Sequence, residues 1–331
     1  MVFQTANLQA EPRTNREAPW YPALASLIAW HDDQTRRRPS SPLPPYVVLN
    51  MKSRSHVAWG GYLGQSYDPL VAHDVSRLFQ LPQGLSLERL QTRQGLLKQL
   101  DRLRRDVDLQ GALAASDRFA QQAYELVLGD RVREAFDVSH EPAHVVEKYG
   151  SHEWSQQALL ARRLVEAGVK FVTIDLSNHS ASGTWDTHGD NIPPYGGIWN
   201  GLRPLLPIFD RVWSALIDDL DERGLLDTVL VIAMGEFGRT PRIGTQGSTD
   251  GRDHWPVVMS MSLAGGGFRH GQVIGATERD AGQIRERPVT PGDIAATIFH
   301  HMRVPRELTY VDHRGRPRRV IEHGQPLPEL L

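Results

Sequence analysis

At 331 residues with 40% hydrophobic side chains, the chain is long enough to bury a sizeable core and too apolar to be disordered. Its net charge of −2, with both signs interspersed, gives no field suited to nucleic acid or an anionic membrane, and no nucleic-acid signature appears. Cysteine is absent, which excludes disulfides, thiolate catalysis and Cys-bound zinc and leaves His, Asp and Glu as the strong ligands.

Seven prolines between Pro12 and Pro45, with little periodicity beyond Tyr21 to Trp30, predict a loosely held arm over residues 1–45 with one short helix. The start lacks the apolar core of a signal peptide, and no run reaches the roughly 20 apolar residues of a membrane span. As written, the product is expected to be cytoplasmic, with no membrane span. Tyr46 to Asn50 has a buried-strand pattern and runs into a turn at Gly60, Gly61 and Gly64. His56 and Trp59 beside that turn suit either a cleft or, as the simpler reading, a packed loop.

Leu87, Leu90, Leu97, Leu100, Leu103 and Val107 recur at helical spacing behind Ser86 as N-cap, and a second amphipathic stretch runs from Ala112 to Leu128. This predicts a helical insertion over about 84–150, with Leu97 and Leu100 buried and Arg104 and Arg105 exposed. Ser155 to Ala167 is a helix stopped by Gly168, and strand Phe171 to Leu176 follows. A polar loop to Asn191 leads on to a helix from about Pro207 to Arg223, ended by Gly224.

Two continuous apolar runs come next, Val229 to Met234 and Val257 to Leu263. Continuity without alternation predicts buried parallel strands, and right-handed crossovers would put their loops on one edge of one sheet. A helix over Asp293 to Met302 and a hairpin turning at Gly315 complete the chain. The fold class read from this is α/β, a mixed, mostly parallel sheet flanked by helices, in a single domain over 46–331.

Three loops at that edge carry the candidate chemistry. Trp185-Asp186-Thr187-His188 places a carboxylate and an imidazole where irregular backbone can aim both at one ion. An Asx-turn loop with an exposed His188 accounts for it equally well. Asp175 and His179 nearby are weaker candidates. Glu236 follows Gly235 at a strand end, and Arg239 suits either an oxyanion or an internal pair with Glu236. Asp253-His254 is held by Pro256, and His254 could equally be a histidine capped by Asp253. Convergence of Asp186, His188, Glu236, Asp253 and His254 favours a metal site, and imidazole donors select zinc or manganese over calcium.

Asp218 to Pro241 (DDLDERGLLDTVLVIAMGEFGRTP) resembles the sulfatase segment in which a helix, a short turn and an apolar strand lead into a metal-binding loop. Val289 to Val304 (VTPGDIAATIFHHMRV) is similar to a sulfatase helix, and His254 to Gly267 (HWPVVMSMSLAGGG) to a late strand segment of alkaline phosphatases and cofactor-independent phosphoglycerate mutases. Together with WDTHGDN, these segments resemble a bacterial sulfatase-like family of unknown function in the alkaline-phosphatase superfamily.

The resemblance implies an alkaline-phosphatase-like fold and a two-metal hydrolase of phosphate or sulfate esters, its substrate a small-molecule or polysaccharide ester. Asp186, His188 and His254 then match the ligands of one metal, Glu236 stands at the second, and Arg239 is the catalytic cation. Phe237 replaces a histidine ligand of that second metal, and the family's opening strand with its nucleophile has no counterpart. The chain is therefore expected to be N-terminally truncated and weak or inactive as a hydrolase, the alternative being a non-catalytic binding module that keeps the fold.

Overall fold

Four consecutive apolar residues, Tyr46–Leu49, form β1, and all four are buried. In the computed structural model β1 lies between β2 (Leu70–Ala72) and β3 (Phe171–Ile174), parallel to both, with Val47 opposite Leu70 and Val172. The structure describes the chain apart from residues 1, 12–13, 36–40, 73–88, 90–91, 93–128, 179, 181, 193 and 246. The insertion helices expected between 84 and 128, with Leu97, Leu100, Arg104 and Arg105, lie outside the described residues, as does His179.

Helices cover this sheet. Helix α1 is Val2–Thr5, α2 is Leu24–Thr35, α3 is Asp130–Phe136, α4 is Ala143–Tyr149 and α5 is Glu153–Glu166. Leu160, Ala161 and Leu164 of α5 pack with Val47, Leu49, Val132 and Phe136. His152 caps α5 by accepting from the Trp154 amide, and Gly168, at φ 102°, lets the chain reverse into β3. The reading of residues 1–45 as a loosely held arm is corrected here. Leu24, Leu27 and Ile28 of α2 are buried in one cluster with Ile294, Phe299 and Val320 from the other end of the chain.

Helix α6 spans Gly197–Glu222 and so begins ten residues before the expected Pro207. Pro204 has no N–H for the carbonyl of Asn200, and that carbonyl accepts instead from Gly183 at 2.8 Å. The next carbonyl, of Gly201, takes the Thr184 amide at 3.0 Å. Pro204 thus frees an acceptor inside α6, and the loop leading to Asp186 docks on it.

The two apolar runs after α6 become β4 (Leu230–Met234) and β7 (Met261–Gly265), which pair antiparallel with Ile232 opposite Leu263. Parallel strands in one continuous sheet were expected, and this is corrected on three counts. The pair is antiparallel, it stands apart from the β2-β1-β3 sheet, and β4 is half-buried. Residues 257–260 stay outside β7, since the run is broken by a turn after β6. Between them lie β5 (Gly238–Arg239) and β6 (His254–Trp255), a short antiparallel ladder. β8 (Ala276–Thr277) and β9 (Ile284–Glu286) form a small ribbon, and β10 (Thr309–Val311) and β11 (Pro317–Arg319) form the hairpin expected around Gly315. The architecture is mixed α/β, with one small parallel sheet and several small antiparallel ones. Among the described residues no helix is long and apolar enough to cross a membrane.

Helix α7 (Pro291–His301) begins with a complete capping box: the Asp293 amide donates to Thr290 Oγ1 while Asp293 Oδ2 accepts from the Thr290 amide. Replacing Thr290 with Ala removes one half of that exchange and is expected to cost about 1 kcal/mol. Thermal unfolding checks it, with a fall in Tm of about 2 °C.

Candidate metal centre

The loop after β3 folds back on itself before it reaches its ligands. Asn178 donates to the Gly183 carbonyl at 2.8 Å, Thr184 Oγ1 donates to the Asn178 carbonyl at 2.9 Å, and the Trp185 indole donates to the Leu176 carbonyl at 2.7 Å. Trp185 also stacks on Trp154 of α5 with ring centroids 5.8 Å apart. These contacts bury Thr184 and Thr187 and fix the backbone on both sides of Asp186.

A second loop, 240–253, is sewn to the first. The Arg252 amide donates to the Thr187 carbonyl at 2.7 Å, Ser248 Oγ donates to Asp190 at 2.7 Å, and Thr249 Oγ1 donates to the same carboxylate at 3.1 Å. Gly251 lies so close that a Cβ there would sit 1.9 Å from the His188 carbonyl oxygen. The β5–β6 ladder then sets Arg239 directly opposite His254.

Asp186, His188 and His254 converge as a result, with one potential ligand atom of each lying within 4.8 Å of the others. The His188 and His254 rings are 4.5 Å apart, centroid to centroid, and Phe237 covers the His254 ring at 4.0 Å. The Tyr195 ring stands 6.0 Å from that of His188, centroid to centroid. Asp186 Oδ1 faces His188 Nδ1 and accepts from Arg239 Nη1 at 3.3 Å.

The electrostatics suit ligation. Burial pushes the His254 imidazole below its usual value, and the Arg239 and His188 charges push the same way, so the ring is neutral near pH 7. For Asp186, burial works to raise the carboxyl, but the hydrogen bond with His188 and the Arg239 charge outweigh it and hold the group ionised. Two imidazoles and a carboxylate make a donor set for zinc or manganese. A divalent cation therefore fits the residues present.

The other sequence candidates fall outside this group. Glu236 is on the exposed bend between β4 and β5 and adds to the site only as a nearby negative charge. Asp253 precedes His254 on extended backbone, where successive side chains point to opposite faces, so the two do not share a target. Its Oδ1 is buried and has no hydrogen-bond partner among the described residues. Arg239 donates to Asp186, to the Arg252 carbonyl at 3.2 Å and to the Trp185 carbonyl at 3.1 Å, so it braces the two loops. Asp175 serves β3 and the loop after β1 through Lys52, His56 and Ser177. Trp185, Gly251 and Tyr195 carry no ligand signal in sequence, because each acts by holding or flanking a ligand.

A family model described as "Protein of unknown function (DUF1501)" matches residues 3–331. Neither the comparison with curated proteins nor that with solved structures gave a match.

Proposed function

The chain belongs to the DUF1501 family of unknown function, and we propose that it is a metal-dependent hydrolase of phosphate or sulfate esters built on the Asp186–His188–His254 cluster. The observation that carries this reading is the convergence of those three side chains within 4.8 Å, from two separate loops sewn together at Gly251 and Arg252. The resemblance of the GEFGRTP, WDTHGDN and HWP segments to sulfatases and alkaline phosphatases supports the ester class.

In this reading Asp186, His188 and His254 hold one divalent ion, zinc or manganese. When bound, the ion supplies Lewis acidity toward a non-bridging ester oxygen. Arg239 keeps Asp186 ionised and oriented, and Phe237 fixes the plane of the His254 ring by covering one face. Glu236, outside the cluster, leaves the site with one ion where the resembled enzymes use two. A lone ion forfeits the clamp on the leaving oxygen, so slow turnover is expected, below the roughly 10 per second of a median enzyme.

A second reading has its own support. Asp186 already has His188 and Arg239 as partners, and such an ion-pair network can order two loops without a metal. Elemental analysis after dialysis against a weak chelator, paired with turnover of aryl phosphate and aryl sulfate, separates the two. The hydrolase reading expects about one zinc or manganese per chain and metal-dependent turnover that His254→Ala abolishes. A metal-free protein of unchanged stability, inactive on both esters with zinc or manganese added, sinks it.

A further inference from the structure

The strand order β2-β1-β3, parallel throughout, places β1 at a point where the chain departs to both sides. Outside the carboxyl ends of strands at such a point, open α/β sheets bind their ligands. Here the loop after β1 meets the residues after β3. Asn50, immediately past β1, is buried in the left-handed region at φ 57°, and its side-chain amide donates to the Asp175 carbonyl at 2.8 Å.

Asp175 is 7% exposed, and its carboxylate is almost fully committed. Oδ1 accepts from the Ser177 amide at 2.9 Å, and Oδ2 accepts from the Lys52 amide and faces His56 Nδ1, each at 2.9 Å. An ionised carboxylate only accepts, so the shared proton belongs to Nδ1 of His56. In the neutral ring Nε2 then carries the lone pair. Among the described residues no hydrogen bond reaches Nε2, and the side chain is 34% exposed. Ser177 Oγ lies 3.3 Å from the same Nδ1, on the Asp175 side of the ring, so it is not placed as a nucleophile activated through Nε2.

The loop after β3 links the dyad to the ligand cluster. Trp185, the neighbour of Asp186, is pinned through its indole to the carbonyl of Leu176, the neighbour of Asp175. We propose that His56, oriented by Asp175, is the proton-transfer residue of this site, accepting a proton from the water that attacks the ester and returning it to the leaving oxygen. The inference rests on the hydrolase reading above. Water attacks phosphorus or sulfur, its proton passes to Nε2, the bond to the leaving oxygen breaks, and that oxygen takes the proton from the imidazolium. The imidazole is restored and no other reactant is needed. Asp175 is a positioning residue, because it fixes which nitrogen faces outward.

The test pairs a spectroscopic signature with kinetics on the full chain. Long-range proton–nitrogen NMR should show His56 as the Nδ1-protonated tautomer, the minor form of the free histidine side chain, and D175N should revert it to the Nε2-protonated form. His56→Gln should lower kcat/KM on aryl phosphate or aryl sulfate by about 100-fold while bound zinc or manganese, measured by elemental analysis, is unchanged. An Nε2-protonated His56 in the parent chain, or His56→Gln with activity within threefold of it, overturns the inference and leaves the hydrolase reading standing. A parent chain that holds metal but turns over neither ester overturns both.

Discussion

Replacing Arg162 with Met is expected to lower the stability of the protein by about 3–5 kcal/mol, the usual result of removing one partner from a buried ion pair. Arg162 is fully buried between α5 and α6. Its Nη2 meets Glu141, its Nε donates to Asp219 at 2.7 Å and its Nη1 donates to Glu166 at 2.9 Å. Glu141 and Asp219 are themselves 4% and 3% exposed, so the variant leaves two carboxylates in the interior with less positive charge to meet them. Arg163, Arg223 and the Tyr149 hydroxyl still reach the network, which keeps the loss at this level.

The same network gives the effect a pH signature. Burial works to raise the carboxyls of Glu141 and Asp219, but the hydrogen bonds and charges of Arg162, Arg163 and Arg223 outweigh it and leave both below their ordinary values. A carboxyl depressed on folding contributes stability above its unfolded pKa of about 4, and that contribution is lost as pH falls through the folded value. The parent chain therefore weakens below about pH 4, whereas in Arg162→Met the depression shrinks. Denaturant unfolding at pH 7 and at about pH 3, inside that window, should show the gap between the two narrowing with acid. A gap that is constant or widens would mean that Arg162 acts by packing alone.

Gly251→Ala is expected to weaken the proposed metal site by about 10- to 100-fold in affinity without touching a ligand, comparable to removing an outer partner of a ligand. The added Cβ would lie 1.9 Å from the His188 carbonyl oxygen and 2.8 Å from the Gly189 Cα, both backbone atoms. One loop must move away from the other, and Asp186 and His188 then separate from His254. Gly224→Ala is the control: it sits at φ 66° after α6 with open space around it, so it carries backbone strain of about 1 kcal/mol and no clash. Metal titration followed by calorimetry should distinguish them. Equal affinity in Gly251→Ala and the parent would show that the loops do not need this close approach.

Much of the helical structure was legible because its signals are local. The helices read over Ser155 to Ala167 and Asp293 to Met302, and the stops at Gly168 and Gly224, each depend on residues within one or two turns. The strands themselves were legible as apolar runs, but their partners were not. Continuity in Val229 to Met234 reports apolar character and carries no information on direction, so an antiparallel β4–β7 pair reads like a parallel one. The expected start at Pro207 came too late for a related reason, since the carbonyl that Pro204 leaves free is met by Gly183, about 20 positions away. At the site, Asp186, His188 and His254 were legible as residue types at loop positions. Glu236 and Asp253 were equally eligible by type, and only the exposed bend at one and the alternation of side chains at the other separate them from the cluster.

The order of synthesis bears on how this fold is reached. The largest cluster joins Leu24, Leu27 and Ile28 to Ile294, Phe299, Val320 and Leu330, so the first substantial helix of the chain is completed by its last segments. At a synthesis rate of roughly 5–20 residues per second, α2 leaves the ribosome on the order of tens of seconds before α7 exists to cover it. Meanwhile the β2-β1-β3 sheet and α5 can assemble from the first half of the chain. Until α7 and the segments after it emerge, α2 therefore presents an uncovered apolar face beside a formed sheet, the kind of surface through which nascent chains aggregate.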